Sequence, residues 1–205
     1  MRAEWFFANG NNLTVSFFKK EISDPIEYFE SPASDTNTAR EIINADATSI
    51  QGIEIDGVLA LGFLGALGER LFAQGNATFQ DTETVAGANA DSPTNDVRPA
   101  TGASDYVLNV MLGFDSHDGR HSANLLYNVF AERLYVAGRL GAPDGYEQPF
   151  HSLDVNYSFY PSDSWTVKFK AQNLLKKAIE IKRAGVVTFA EDPGMGVSLK
   201  VKYDF

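Results

Sequence analysis

The sequence predicts an all-β chain: an antiparallel, up-and-down transmembrane β-barrel, present as an incomplete barrel of about nine strands. Three observations carry this reading. Apolar and polar residues alternate with period two in one segment after another, so each segment has one greasy and one wet face. The segments run ~9–11 residues, the span of a tilted membrane strand, where strands of soluble sheets run ~5–6. The connections alternate between short turns and long polar loops, and aromatic residues gather beside the short ones, as barrel interfaces require.

The alternation is most regular at the C-terminus, in "GVSLKVKYDF", where Val197, Leu199, Val201, Tyr203 and Phe205 alternate with Ser198, Lys200, Lys202 and Asp204. It recurs in "SWTVKFKAQN" (Trp165, Val167, Phe169 and Ala171 on one face), in "SLDVNYSFY" (Leu153, Val155, Tyr157 and Phe159) and in "SDYVLNVMLGFDS" (Tyr106, Leu108, Val110, Leu112 and Phe114). "HSANLLYNVF", "FAQGNATFQDT", "GIEIDG" and "NNLTVSFF" repeat the pattern. The strands fall at roughly 3–8, 12–22, 48–60, 70–81, 105–115, 121–134, 151–160, 164–175 and 195–205. Short turns are expected at 8–12, 115–120 and 160–164. Long polar loops are expected at roughly 30–44, 81–104, 137–149 and 182–193. The Ala-, Asp- and Pro-rich stretch 81–104 is read as a loop because strands of one style continue on both sides. No segment of comparable length carries a helical period. Phe114, Phe159, Tyr160, Trp165 and Phe205 all fall beside a short turn or at the chain end, on one rim.

Composition removes other classes. An apolar content of 44% with 21% charged residues is that of a folded chain. A net charge of −10 argues against nucleic acid, which calls for a basic face. With no cysteine there is no disulfide framework, thiolate metal site or cysteine nucleophile. His117, His121 and His151 have no metal-ligand spacing, since the Asp118-Gly119 turn separates the first two. The N-terminus carries no apolar core with a cleavage site, and the greasiest stretch, "GVLALGFLGALG" at 57–68, is too short and too glycine-broken to span as a helix. Ser122, His151 and Asp154 could be assembled into a triad on paper, but no nucleophile elbow or activated base accompanies them. Neither an enzyme nor a cofactor is expected.

The pattern also orients side chains. Leu108, Val110, Leu112, Leu125, Val155, Tyr157, Val167, Phe169, Leu199 and Val201 are expected on the convex, lipid-covered side. With Trp165 and Phe205 at one rim, Lys168 lies near Lys202 and Lys170 near Lys200, within two residues of register, as a basic cluster in the lumen. Asp154 is expected beside Lys170 as counter-charge, because like charges directly opposite destabilise a sheet. The loop "GAPDGYEQP" offers Asp144, Tyr146, Glu147 and Gln148, a carboxylate, amide and stacking set suited to a sugar, although a solvated loop with one packing tyrosine has the same composition.

From Pro143 onward the chain resembles the C-terminal end of TonB-dependent outer-membrane receptors. The resemblance rests on Tyr146, Pro149, Leu153 and Asp154 before a short turn, then Trp165, Lys168, Ala171, Asn173, Leu174 and Leu175, then a last long loop and a final Tyr203-x-Phe205. Upstream, "SIQGIEIDGVLAL" and "GNATFQDTE" are similar to two further strands of that family. The resemblance implies a bacterial outer-membrane location and active import of a scarce nutrient: an iron chelate, a cobalamin or an oligosaccharide. It implies as partners outer-membrane lipid, the small nutrient ligand, and the TonB energy-transducing complex acting through an N-terminal part. It also implies a barrel-assembly machinery that reads Tyr203 and Phe205 as its signal. The family's receptors have a plug domain and a 22-stranded barrel. Residues 1–205 are therefore read as the C-terminal portion of such a barrel. Two alternatives stay open: a small closed outer-membrane barrel acting as pore or adhesin, in which the first and last strands would pair, and a soluble β-sandwich.

Overall fold

The computed structural model describes residues 1–7, 10–32 and 37–205, the side chains of 31, 32 and 38 excepted. Ala8 and Asn9 of the expected turn 8–12, and residues 33–36 of the expected loop 30–44, lie outside the described residues.

Among the described residues, sixteen strands form two sheets. They are β1 (Arg2–Phe6), β2 (Asn12–Ser23), β3 (Ile26–Pro32), β4 (Thr38–Asn44), β5 (Ala47–Ala60), β6 (Leu71–Val85), β7 (Val97–Arg98) and β8 (Tyr106–Asp115). There follow β9 (His121–Phe130), β10 (Arg133–Gly138), β11 (Gly145–Glu147), β12 (Phe150–Ser162), β13 (Trp165–Gln172), β14 (Ile179–Arg183), β15 (Val186–Glu191) and β16 (Gly196–Tyr203). The main sheet runs β1-β2-β5-β6-β8-β9-β12-β13-β16, nine strands in chain order, all neighbours antiparallel, with the short β7 added to β6. These are the nine strands that the alternation marks out. β1 and β16 form its two edges and do not pair with each other, so the sheet is open.

Register carries one apolar face across the whole sheet, because directly opposed residues point the same way. One row is Val15, Ile55, Ala77, Leu108 and Val129. The next is Trp5, Leu13, Gly57, Gly75, Val110, Tyr127 and Leu153. Further along, Leu112, Leu125, Val155, Ala171 and Val197 stand side by side, as do Tyr157, Phe169 and Leu199. None of the ten side chains expected on the lipid side is buried beneath protein, and Val110, Leu112, Leu125, Tyr157, Phe169, Leu199 and Val201 are exposed. On β6 the band extends from Leu71 to Phe79. At ~3.3 Å per residue that is about 26 Å along the strand, or about 20 Å along the normal for a tilt of ~40°. Beyond Phe79 the same face becomes polar, with Lys19, Gln51 and Asp81 in one row and Glu21, Ser49 and Glu83 in the next. That change marks the edge of a hydrocarbon layer.

The short turns and their aromatics lie together at one end. There Phe159 pairs with His121 and Val167, and Trp165 with Tyr203. His121 stacks on Phe159 at 4.8 Å between ring centroids, and Trp165 lies 4.8 Å from Tyr203.

The opposite end corrects the expected irregular loops. Residues 30–44, 137–149 and 182–193 are largely built into a second sheet, ordered β15-β14-β11-β10-β3-β4. It consists of the pairs β3–β4, β10–β11 and β14–β15, joined by non-local pairing of β11 with β14 and by a parallel contact of Ala137 with Phe29 and Gly138 with Glu30. It holds the most buried side chains, Phe29, Leu134 and Val136. Residues expected as one strand over 121–134 divide into β9 and β10, because the chain leaves the main sheet after Phe130.

On the polar face two glycines make room for aromatic rings. Gly52 faces Phe18, where an added Cβ would lie 2.6 Å from the ring's Cζ, and Gly113 faces Phe72, whose ring occupies the space a Cβ would need. Overpacking of this kind costs ~1–3 kcal/mol. Gly113→Val should lower unfolding stability in lipid vesicles by about that amount. Gly196→Val, where the nearest atom would be the Gln172 Cβ at 3.9 Å, should stay within about 0.5 kcal/mol. Urea midpoints measured for the pair test this, and equal shifts would contradict it.

Candidate functional site

Two polar regions can meet a ligand: the polar wall of the main sheet and the second sheet above it. The wall is organised by side-chain amides. Asn109 Nδ2 donates to Asn76 Oδ1 at 2.7 Å, and Asn128 Nδ2 donates to Asn109 Oδ1 at 2.5 Å, a ladder across β6, β8 and β9. Thr14 and Asp56 continue the row toward β1, and Ser152 continues it on the other side. Period-two alternation puts these residues on one face, where each side-chain amide lies beside a neighbouring partner.

Charge on this wall is unevenly divided. Glu4, Glu54 and Asp56 stand toward β1 together with Lys20 and with Arg2, which pairs with Glu4 at 2.6 Å, whereas Lys168, Lys170, Lys200 and Lys202 stand on β13 and β16. The four lysines share one face. Lys168 lies opposite Lys200, Lys170 opposite Ser198 and Lys202 opposite Thr166. This is two residues from the nominal register and within the expected range, because Trp165 pairs with Tyr203 and not with Phe205. Lys202 is held by Asp204 at 2.6 Å. Among the described residues no carboxylate forms an ion pair with Lys168, Lys170 or Lys200. The expected counter-charge from Asp154 is not there. Asp154 Oδ1 accepts from Ser152 Oγ at 2.9 Å and from the Asn173 amide at 2.9 Å, where the chain leaves β13. Lys170 lies opposite Asn156, two positions further along β12 than Asp154.

The second sheet is knitted by arginine–carboxylate contacts. Arg98 and Glu27 form a buried pair at 3.3 Å; Thr101 Oγ1 donates to the same Glu27 oxygen, and the Arg98 guanidinium lies 4.5 Å over the Phe29 ring. Glu30 binds Arg40 through Oε1 at 2.8 Å and Arg183 through Oε2. Arg139 engages Glu41 and Asp91. The Arg40 guanidinium sits 5.4 Å from the Tyr135 ring and 6.0 Å from the Tyr28 ring, and its pKa is raised by hydrogen bonds to Tyr135 and then Glu30. Glu30, Arg40, Tyr135, Arg183, Thr188 and Phe189 line a hollow of about 440 Å³. Its neighbour Arg133 pairs with Glu147 at 2.7 Å and covers the Phe130 ring at 4.1 Å. Phe130 lies on the polar face, two residues on from Asn128, so Arg133 stands over that side of the main sheet. The cluster offers guanidinium and aromatic groups, which suit anionic or planar ligands.

The expected ligand loop is placed in the same sheet, with its four side chains in different roles. Asp144 is buried, and both of its oxygens are used: Oδ1 accepts from the Gly138 amide and Oδ2 from Asn95 Nδ2, each at 2.7 Å. Glu147 is held by Arg133, and Gln148 Nε2 donates to Glu132 Oε2 at 2.7 Å. Tyr146 borders a hollow of about 530 Å³ with Asn95, Glu132, Gln148 and Lys182. Burial, and then the charge of Asp144, push the Tyr146 hydroxyl pKa up, so it stays a neutral donor. Sequence reasoning missed Arg40, Arg133 and Arg183. The usable signal was the short alternation of "IEIKR" and "RLYVAG" inside segments read as loop or strand end. At the other rim, Tyr203 packs on Trp165 and meets the Phe205 ring edge-on at 5.1 Å, while Phe205 itself is fully exposed.

Comparison with known proteins agrees with this architecture. The family described as "TonB dependent receptor-like, beta-barrel" matches residues 2–174. No curated protein matches the chain. Among solved structures, the FrpB iron transporter from Neisseria meningitidis superposes with a TM-score of 0.65 at 15% identity, covering 100% of this chain and 30% of that one. The copper transporter OprC gives a TM-score of 0.67 at 14% identity, covering 97% and 29%. A variant of the ferric enterobactin receptor PfeA from Pseudomonas aeruginosa gives 0.64 at 18%, covering 97% and 29%. The chain thus spans less than a third of the length of these structures. A continuous apolar band, rim aromatics, a polar wall and the family match over 2–174 agree: the chain belongs to the TonB-dependent receptor β-barrel family of the bacterial outer membrane.

Proposed function

We propose that the chain is the C-terminal portion of a barrel that binds a scarce nutrient at its outer mouth and imports it actively. The observation that carries this reading is the pairing of one apolar face nine strands wide with a folded, arginine- and tyrosine-lined sheet at the long-loop end. A passive pore needs the first feature and has no use for the second. The candidate cargoes are an iron chelate, a cobalamin or an oligosaccharide. The guanidinium and tyrosine chemistry around Arg40 and Arg183 favours the iron chelate, and the hollow beside Tyr146 fits a sugar. Energy would come from the TonB complex through an N-terminal part of the receptor. Tyr203 and Phe205 would serve the barrel-assembly machinery, and the exposure of Phe205 at the rim leaves it free to be read.

The lysine wall has a role in this scheme. Lys168 and Lys200 oppose each other without an anionic partner among the described residues, an arrangement that asks for counter-charge. An acidic face of the plug domain would supply it, and the cluster would then help seat the plug.

Two outcomes test the proposal. A strain lacking the intact receptor, offered a panel of ferric chelates, cobalamin and oligosaccharides at limiting concentration, should lose energy-dependent uptake of at least one class. Unimpaired uptake of every class would end the import reading. In the intact receptor, replacing Lys168, Lys170, Lys200 and Lys202 with glutamine should loosen the plug, seen as faster amide exchange within it and altered uptake. Unchanged exchange and uptake would leave the lysines as solvated wall residues.

A further inference from the structure

The greasiest stretch of the sequence, 57–68, ends β5 and then forms a turn. Residues 61–70 connect β5 to β6 at the short-turn rim through two single-turn 3₁₀ helices, Gly62–Leu64 and Gly68–Arg70. Barrel turns at this end face the periplasm and are ordinarily short and polar. Here no charged residue occurs from Leu61 to Gly68. Phe63, Leu64 and Leu67 are 72%, 62% and 65% exposed. The β8–β9 turn is built the other way: Ser116 Oγ and the Arg120 amide both donate to Asp118, whose carboxyl pKa is lowered chiefly by Ser116.

Two further features distinguish the apolar turn from a solvated loop. Part of its backbone is paired within the turn: the Leu64 amide donates to Leu61 O at 2.9 Å, Gly65 to Gly62 O at 3.1 Å, Glu69 to Gly65 O at 3.2 Å and Arg70 to Leu67 O at 3.1 Å. Leu61 N donates to Leu71 O at 2.9 Å, extending the β5–β6 ladder into the turn. The remaining amides and carbonyls need water or headgroups, so the backbone belongs at the interface and only the apolar side chains can enter hydrocarbon. The turn is also continuous with other apolar surface. It follows Leu59 of the lipid-facing band, and Asn11 Oδ1 accepts from the Ala60 amide at 2.6 Å, which ties it to the neighbouring hairpin and its exposed Phe7.

We propose that residues 61–68 form a membrane-anchoring turn whose backbone lies at headgroup level, with the Phe63, Leu64 and Leu67 side chains inserted among the acyl chains of the inner leaflet of the outer membrane. The proposal rests on the outer-membrane barrel reading. The turn fastens this sector of the rim to phospholipid, while the polar turn at 116–120 stays in the periplasm.

The chain has no cysteine, so a single introduced one is unique within it. Phe63→Cys, Leu67→Cys, Asp118→Cys and the mid-band Leu112→Cys are each spin-labelled in phosphatidylethanolamine–phosphatidylglycerol vesicles, and relaxation by oxygen is compared with relaxation by a water-soluble nickel chelate. The proposal expects labels at 63, 67 and 112 to favour oxygen, with nickel accessibility several-fold below that at 118. Lipid-like values at 112 with aqueous values at 63 and 67 would overturn the inserted turn and leave the barrel reading standing. Lipid-like values at 118 as well would overturn its selectivity, and aqueous values at 112 would overturn the barrel reading and this proposal together.

Discussion

The constraint on which the rest of the structure depends is that a backbone in hydrocarbon must pair every amide and carbonyl with another strand. It explains why nine strands run side by side in chain order with long ladders: the shortest excursion between partners is a hairpin. It also explains the period of two. Once strands are locked side by side, each residue faces either lipid or lumen, and a slip of one residue would exchange the faces. Gly113 under the Phe72 ring and the Asn76–Asn109–Asn128 ladder are local consequences, each pinning register on the wall away from lipid. β1 and β16 leave unpaired edges that this constraint would require a neighbouring strand to satisfy.

Above the apolar band the constraint relaxes, and a different solution appears. The second sheet has short strands and few large buried side chains, and its cohesion comes from arginines that each hold a distant segment. Glu30 joins β4 to β14 through Arg40 and Arg183, and Arg139 joins β10 to Glu41 and Asp91. Asp144 ties the 138–145 segment to Asn95. Contacts of this kind are individually modest where water reaches them. The buried Arg98–Glu27 pair, with Phe29 against it, is the exception and anchors the sheet. Such a sheet can present guanidinium and phenol groups at a mouth without the rigid ladder below it.

This division also explains what was legible in the sequence. The main sheet could be read directly, because long alternating segments such as Tyr106–Asp115 record two solvents at once. The rim aromatics were legible for the same reason. The second sheet was not, because its strands lie inside polar segments and its local pairs join one another across great sequence distance, as Ala137 does with Phe29. The last hairpin came out two residues from its nominal register because Tyr203, not Phe205, packs on Trp165, leaving Phe205 beyond the final ladder. Asp154 misled because its charge suggested a lysine partner, whereas the turn after β13 needed its oxygen to hold the Asn173 amide. Asp144 likewise looked like a ligand group and is a structural tie.

The central claim is that the two faces of the main sheet meet different solvents, and β8 tests it most directly. Single cysteines placed in turn at residues 106 to 112 and 114, sparing Gly113 beneath the Phe72 ring, can be spin-labelled in phospholipid vesicles in this cysteine-free chain and their oxygen and nickel-chelate accessibilities compared. The account predicts strict alternation: lipid-like values at Tyr106, Leu108, Val110, Leu112 and Phe114, and aqueous values at Val107, Asn109 and Met111. A uniform profile, or one with a helical period, would contradict it.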